Sequence, residues 1–312
     1  MPSTRRPTVT VITPCLNAGR YLERTICSVL DQQTPGVEYI VADGGSRDES
    51  VELIRAYEDE LTAWRSGPDA GAAAAINWAL ARASGQWVVI LPAGDVLMPG
   101  ALHALSDAIT RQPDVRWFHG HAHCLDEHDQ TVGVVSAAAN LSLSRWLMHD
   151  TDGAATAANA YRRDLLAEVG PFNATLRHAW HYEYHARLLA AKQSPTLIAT
   201  DLAGQRRETY RLPDAQQTIA RGYEQIAAAE RFSDRVSSQQ RAVLWRNLDE
   251  RRQIHAIAEA EAAGVEGQKV LWRRLMDRPW WINSDRYRRA ITKAASEHLR
   301  TEEAAAPLRR AA

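Results

Sequence analysis

The chain has 312 residues, of which 45% are hydrophobic, and a formal net charge of −1, so it is long enough to bury one large core or two. The nearly neutral balance gives no argument for a nucleic-acid partner, and we expect none. Three cysteines without paired spacing argue against a disulfide framework and favour a reducing compartment, so we expect a cytoplasmic protein.

The opening sequence MPSTRRPTVT contains two arginines but no apolar core, so we expect no secretory signal. No apolar run approaches the roughly eighteen residues that a transmembrane helix needs. We therefore expect no membrane-spanning helix.

The first third of the chain alternates between short β-branched apolar runs and segments with helical spacing. The predicted strands are residues 8–13, 37–42, 61–64 and 87–91. The predicted helices are 21–32, 48–57 and an alanine-rich helix that follows 69–71 and ends near 85. This βαβαβαβ alternation predicts an α/β fold with a mostly parallel sheet, helices on both faces and right-handed crossovers.

A polar or glycine-rich segment follows each of these predicted strands. The segments are residues 14–17, 43–46, 69–71 and 92–95. In an open α/β sheet, ligands bind beyond the carboxyl ends of the strands. We therefore expect these segments to meet around one crevice.

The pattern changes after residue 95. Helices are predicted at 99–111, 141–148, 164–169 and 179–192, a hairpin at 115–124 and 131–135, and weak strands at 196–199 and 206–211. From residue 213 the composition shifts to Ala, Glu, Arg and Gln with helical periodicity. We predict a first domain at 1–212 and an extension of three or four helices at 213–312.

Several motifs occur in order and together resemble a known family. They are ITPCLNAGRYLERTICSVLDQ, EYIVADGGSRDESVELI, SGPDAGAAAAINWALARASGQWVVIL, DVLMPGAL and YRRDLLAEVGPFNATLRHAWHYEYHARLL. Residues 8–212 resemble the inverting family 2 glycosyltransferases of the GT-A fold. The resemblance implies transfer of a sugar from a UDP, GDP or dTDP donor to a glycan or lipid-linked acceptor hydroxyl, in cell-surface polysaccharide or glycan synthesis.

The resemblance implies a nucleotide pocket at the first three strand ends. Asp43 would hydrogen-bond the base, while Thr13, Pro14 and Asn17 would line the same pocket, mostly through backbone groups. Asp69 would also face the nucleotide. The alternatives from local chemistry are that Asp43 caps its own turn and that Asp69 caps the alanine-rich helix.

This sequence departs most from the family at the metal-binding motif. The fourth strand ends in Leu-Pro-Ala-Gly-Asp, so Asp95 alone stands where the family carries an Asp-x-Asp arrangement. By resemblance Asp95 would hold a divalent cation, Mn²⁺ or Mg²⁺, whose other ligands are diphosphate oxygens and water. The alternative is an Asp in a turn.

This sequence also differs from the family at the position of the general base. The family has an acidic residue before the helix at 179–192, and here His181 occupies that position, with Glu183 two residues later. Either side chain is a candidate base for a single inverting displacement. Alternatively, His181 is a solvated residue at the helix start and Glu183 pairs with Arg187 at i,i+4.

Three histidines alternate along one predicted strand. His119, His121 and His123 share one face because strand side chains alternate. They are compatible with a metal site, although a half-exposed strand face is the commoner occurrence.

Basic residues alternate with aromatic ones near the end of the chain. Trp272, Trp280, Trp281 and Tyr287 lie in such a stretch, which suits the headgroup region of a membrane. We expect peripheral contact with the inner face of the membrane. The alternative is that these rings pack the helices onto the first domain while the arginines face water.

A different class of function also fits. This sequence has fewer of the family's polar and acidic residues. Asp95 is the one carboxylate left in its motif, and Ala70, His121 and His181 replace polar or acidic residues of the family. A non-catalytic homologue would show this pattern, acting as a partner or regulatory subunit with a protein partner or as a homodimer.

Overall fold

A computed structural model of the protein describes residues 9–148, 155–206 and 215–296. The chain divides into two compact units, Met1–Tyr210 and Arg211–Ala312. The predicted boundary at 212 and 213 lies outside the described residues, so the domain assignment stays a prediction.

The first unit contains nine strands and seven α-helices in its described part. The strands are β1 Val9–Cys15, β2 Val37–Asp43, β3 Ala63–Ser66, β4 Trp87–Ile90, β5 Val96–Leu97, β6 Trp117–Leu125, β7 Thr131–Val135, β8 Asn159–Arg162 and β9 Thr196–Arg206. The helices are α1 Gly19–Leu30, α2 Ser50–Ala56, α3 Ala72–Leu80, α4 Ala101–Arg111, α5 Leu143–Met148, α6 Arg163–Val169 and α7 Trp180–Ala190.

Most predicted elements are found within a few residues of their expected bounds, with three differences. The prediction of two separate weak strands at 196–199 and 206–211 is wrong, because β9 runs without a break from Thr196 to Arg206. Residues 207–211 lie outside the described part. The short strands β5 and β8 were not predicted, since two and four residues are too few to carry a periodic pattern.

One sheet contains all nine strands, in the order β3-β2-β1-β4-β8-β6-β9-β5, with β7 paired to β6. The half that carries the predicted crevice is parallel throughout, since β1 pairs with β2 and β4, and β2 pairs with β3. The pair β6 and β9 is parallel too, while β8, β7 and β5 pair antiparallel. The α/β fold class is confirmed.

Both faces of the parallel half are buried. Val11 and Val41 belong to a core cluster with Leu22 of α1. Because strand side chains alternate, Ile12 and Ile40 point to the opposite face, where both are fully buried. Helix α3 contacts β1 and β2, as expected for a parallel sheet, which is stable only with both faces covered.

The described part of the second unit is helical. It contains α8 Ala215–Arg231, α9 Ser238–Ala262, α10 Gly267–Asp277 and a further helix at 285–296. The side chains of Leu271, Leu275 and Trp281 form a core with alanines of α9. At Gly267 the backbone approaches α9 so closely that an added Cβ would lie 2.3 Å from the carbonyl oxygen of Ala260. The predicted helical extension is confirmed.

Candidate active site

Backbone hydrogen bonds continue past the strand ends and join the predicted loops side by side. The amide of Gly44 donates to Cys15 O at 2.9 Å, and the amide of Gly67 donates to Asp43 O at 3.1 Å. The amide of Ala93 donates to Pro14 O at 3.1 Å. The loops after β1, β2, β3 and β4 therefore line one edge of the sheet, as the sequence predicts.

Hydrogen bonds between side chains and backbone amides connect the loop after β1 to the loop after β2. The amide of Asn17 donates to Ser46 Oγ at 2.7 Å, and its side-chain Oδ1 accepts from the amide of Arg47 at 2.9 Å. Asp48 Oδ2 accepts from the amide of Gly19 at 3.0 Å. Asn17 is exposed and has φ of 49°, a left-handed conformation that asparagine tolerates. Its amide oxygen thus helps to hold the loops in position.

The carboxylate of Asp43, fully buried at the end of β2, is used by its own turn and by β3. Oδ2 accepts from the amides of Gly45 and Ser46, both at 3.0 Å, and from Ser66 Oγ at 2.6 Å. Oδ1 accepts from Ser46 Oγ. Burial acts to raise the pKa of Asp43, but the hydrogen bonds from Ser46, Ser66 and the turn amides hold it below its usual value. The turn-capping role is present, and contact with a base stays a prediction.

The side chain of Thr13 points into the core. It is fully buried, and its hydroxyl lies 3.0 Å from Tyr39 Oη. Pro14 is also buried, and its carbonyl accepts from Ala93. Neither residue offers a side chain to the crevice, so any contribution comes through the backbone.

Asp69 lies against the turn that follows β2. Its Oδ1 accepts from the amide of Gly71 at 2.8 Å, and its Oδ2 lies 3.3 Å from Arg65 Nη2. A Cβ added to Gly44 would lie 3.1 Å from Asp69 Oδ1. The N-cap of α3 is Gly71, so Asp69 holds the residue that caps the helix. A nucleotide contact for Asp69 stays a prediction.

Asp95 lies in a turn that is held by α1 and by the end of β9. It is 7% exposed, and its Oδ1 accepts from the amide of Arg206 at 2.9 Å. Thr25 Oγ1 donates to Asp95 O at 2.8 Å and accepts from the amide of Gly94 at 3.0 Å. The Arg206 guanidinium donates to Gly94 O at 3.1 Å and stacks 4.0 Å from the Tyr21 ring centroid.

These residues do not form a ready cation site. One carboxylate oxygen of Asp95 already holds a backbone amide, and the same loop binds a positively charged guanidinium. Within the described part of the chain, no group of three potential metal-ligating side chains converges. The expectation of Mn²⁺ or Mg²⁺ at Asp95 stays a prediction.

Glu183 and His181, the two base candidates, lie in the first turns of α7 in different environments. The Glu183 carboxylate is 2% exposed and accepts from Arg187 Nε and Nη2, both at 3.0 Å. Arg187 also donates to Val169 O at 3.2 Å and to Pro171 O at 2.9 Å. The i,i+4 pair considered from the sequence is therefore present. His181 is half-buried beside the Trp180 ring.

The alternating histidines do not form a metal site. His123 pairs with Asp201 at 3.0 Å and His121 Nδ1 accepts from the amide of Ala137 at 3.1 Å. His119 is buried, and burial lowers its pKa to about 4. Because no group of three ligands converges among the described residues, the metal interpretation of these histidines is wrong.

A buried aromatic cluster beneath α7 was missed by the sequence reasoning. His185 Nε2 lies 2.6 Å from Tyr161 Oη, and the His185 ring centroid lies 5.0 Å from those of Trp117 and Trp146. Burial lowers the pKa of His185 well below its ordinary value. The only signal in the sequence was that His185 lies four residues after His181 and so on the same side of the predicted helix. Strand β8, which carries Tyr161, was not predicted.

None of the described helices combines the length and the apolarity that crossing a bilayer requires.

Comparison with known proteins gives a family match and several relatives. The sequence model of glycosyl transferase family 2 matches residues 10–170, about half of the chain. A putative teichuronic acid biosynthesis glycosyltransferase of Bacillus subtilis is 40% identical over 93 residues, which are 29% of this chain and 37% of that protein. A PGL/p-HBAD biosynthesis glycosyltransferase of Mycobacterium bovis is 25% identical over 210 residues, 62% of this chain and 72% of that protein.

Solved structures resemble the fold over most of the chain. Staphylococcus aureus TarS 1-349 in complex with UDP-GlcNAc matches with a TM-score of 0.55 at 14% identity, covering 93% of this chain and 92% of that one. The mannosyltransferase PcManGT of Pyrobaculum calidifontis, in complex with GDP-Man and Mn²⁺, matches with a TM-score of 0.52 at 19% identity, covering 95% and 88%. This likeness confirms the expected GT-A fold.

Proposed function

Because the chain belongs to glycosyl transferase family 2, we propose that it transfers a sugar from a nucleoside diphosphate donor to an acceptor hydroxyl with inversion at the anomeric carbon. The observation that carries the proposal is the row of strand-end loops, joined by hydrogen bonds between Asn17, Ser46 and Asp48 and their neighbours. Loops fixed in this way would form a preorganised binding surface, so binding a nucleotide there would cost little ordering. The names of the relatives favour a cell-surface glycan as product.

Asp43 and Asp69 would act on the nucleotide in two ways. Each holds backbone amides of its own turn in fixed directions, which shapes the pocket wall. Each carboxylate would also accept a hydrogen bond from the base or ribose. Thr13, Pro14 and Asn17 would line the pocket through their backbone.

His181 is the better candidate for the general base. The Glu183 carboxylate is buried and bound by both Arg187 nitrogens, so taking up a proton would break a buried ion pair. His181, in the first turn of the same helix, is half-buried. Its imidazole would take the proton from the hydroxyl of the acceptor molecule as the new C–O bond forms. The bond between the sugar and the diphosphate would break at the same time, and the diphosphate would leave with the electron pair.

A divalent cation would offset charge on the departing diphosphate if one binds. Asp95 is the residue that would hold it, but its surroundings do not make a preformed site. The steps above therefore use only the protein's own side chains.

A non-catalytic partner or regulatory subunit is the second candidate. It is favoured by the same internal pairing, since Glu183 is bound by Arg187 and Asp95 holds the amide of Arg206. In that case the strand-end loops would bind a nucleotide or a protein partner, or would support a homodimer, without turnover. The cytoplasmic location and the glycan or lipid-linked acceptor also stay proposals.

Isothermal calorimetry with UDP, GDP and dTDP, each with and without Mn²⁺, tests the donor site. We expect one nucleotide to bind to the wild type. If Asp95→Ala removes an Mn²⁺-dependent gain in affinity, Asp95 holds the cation. Binding that ignores both Mn²⁺ and Asp95→Ala would support a metal-independent donor site, and no binding of any nucleotide would contradict a transferase.

A further inference from the structure

Helix α10 exposes a face that mixes cationic and large apolar side chains. Lys269, Trp272, Arg273 and Met276 are all exposed, with Trp272 at 47% and Met276 at 81%. Their spacing of i, i+3, i+4 and i+7 puts them on one side of the helix. Helix α10 thus buries its leucines in the helical core and turns a second, amphiphilic face to solvent.

The aromatic residues that follow α10 divide into two groups. Trp281 and Tyr287 are buried at 2% and 0% exposure, and Trp281 Nε1 donates to Asp249 at 3.0 Å. These two rings pack in the core of the second unit with residues of α9 and α10. Trp280 and Ile282 stay exposed at 55% and 42%, and Trp280 Nε1 also donates to Asp249 Oδ2 at 3.3 Å.

This part of the second unit is strongly positive. Residues 267–296 contain eight lysines or arginines and two aspartates. Within the described part of the chain, Arg273, Arg286 and Arg289 have no ion-pair partner. Lys269 pairs with Glu266 at 2.7 Å, but both side chains are exposed, and such a pair neutralises little. Arg274, Arg278, Arg288 and Lys293 form ion pairs with carboxylates. The charge that remains available on the exposed face of α10 is that of Lys269 and Arg273.

We propose that the exposed face formed by Lys269, Trp272, Arg273 and Met276 docks onto an anionic lipid surface. Tryptophan rings favour the headgroup region of a bilayer, and lysine and arginine side chains extend past apolar neighbours to reach phosphate groups. Lys269 and Arg273 lie between the apolar side chains, and their charge is complementary to that of lipid phosphate groups. That arrangement favours lipid over a protein partner.

Vesicle cosedimentation of the full chain tests the proposal. The probes are vesicles of phosphatidylcholine alone and of phosphatidylcholine with phosphatidylglycerol. We expect binding to the anionic vesicles only, weakening with added salt. Arg273→Glu should lower the affinity about fivefold or more, since one cation near the surface contributes on that order, and Trp272→Ser together with Met276→Ser should lower it about tenfold.

Matched control variants come from the first unit. Arg55→Glu removes an exposed arginine of α2. Val132→Ser with Val134→Ser removes exposed apolar side chains of β7, at 60% and 56% exposure. Neither control should change vesicle binding, and circular dichroism confirms that every variant is folded.

Other outcomes would overturn the proposal. These are absence of wild-type binding to anionic vesicles, equal binding to both kinds of vesicle, and equal loss of binding in the control variants. Loss of a concentration-dependent dimer in the Trp272→Ser variant, without vesicle binding by the wild type, would assign the face to a second copy of the chain. The readout needs no donor or acceptor, so its failure is distinct from failure of the proposed transfer reaction.

Discussion

The strand-end loops of the first unit and the exposed face of α10 in the second unit use their side chains in opposite ways. In the loops, polar side chains such as those of Asp43 and Asn17 form hydrogen bonds inside the protein. On α10, large apolar and cationic groups such as Trp272 and Arg273 are left to solvent.

The difference separates two modes of binding. The loops derive their function from fixed geometry, so a substitution there should lower stability and ligand binding together. The α10 face derives its function from composition, so a substitution there should change membrane affinity and nothing else. The following predictions test this contrast in order of expected size.

The largest effect is expected at the buried ion pair of α7. Arg187→Ala leaves the 2%-exposed Glu183 carboxylate without its two guanidinium bonds and should lower the free energy of unfolding by about 3–5 kcal/mol. Urea denaturation measures the change. The matched control is Arg111→Ala, which removes an exposed i,i+4 pair with Asp107 at 3.8 Å and should stay within about 0.5 kcal/mol.

A second variant decides whether the pair is structural or catalytic. Glu183→Gln should lower stability and leave the pH profile of turnover in place. If instead it abolishes turnover without lowering stability, Glu183 is the base and the assignment of that role to His181 fails.

The next effect is a loss of stability in acid. Burial lowers the pKa of His119 to about 4, against about 6.5 unfolded. Between these values the unfolded chain binds more protons, so stability falls as the pH drops from about 6.5 to about 4, by about 3 kcal/mol. The free energy of unfolding measured against pH should fall less steeply in His119→Asn, with the contribution of the buried His185 remaining, whereas the exposed His103→Asn should keep the wild-type slope.

A smaller loss of stability is expected in the turn after β2. Asp43→Asn replaces a carboxylate that accepts from Ser46, Ser66 and two amides, so we expect a loss of about 2 kcal/mol in the free energy of unfolding. Nucleotide affinity should fall in the same variant. Asp31→Asn, on an exposed residue, should change neither; unchanged stability in Asp43→Asn would mean that the turn does not depend on its carboxylate.

The smallest effect is expected on α10. Trp272→Ser removes a side chain that is 47% exposed and should change the free energy of unfolding by less than about 0.5 kcal/mol. Turnover of a soluble substrate should equal that of the wild type. A large loss in thermal denaturation would show that this ring packs against the protein, and the contrast with the loops would disappear.

Much of the fold could be predicted because period-2 and helical patterns are strong in the first half. The run from Tyr39 to Ala42 is apolar and contains two β-branched residues, and it lies in β2. Strand β8, Asn159–Arg162, has four residues and sits in the sheet between two partners that are distant in sequence. Such a strand is fixed by tertiary pairing, and its local sequence carries little signal.

The site could be predicted in position but only partly in role. The sequence located Asp43 at a strand end, yet whether its carboxylate is available depends on Ser66, which lies on another strand. In the same way Trp280 and Trp281 are adjacent in sequence, but one is exposed and the other buried. Residues Pro279–Asn283 form a 3₁₀-helix, in which neighbouring side chains are turned about 120° apart, so composition alone did not separate them.

Release of nucleoside diphosphate from UDP-, GDP- and dTDP-sugars, with water as acceptor, tests the proposed transfer most directly, since it needs no identified acceptor. We expect the wild type to release one of the three diphosphates, and His181→Asn to lower kcat by about 10²–10⁴-fold while the nucleotide still binds. No release from any donor by folded protein that binds a nucleotide would contradict catalysis and favour the partner subunit.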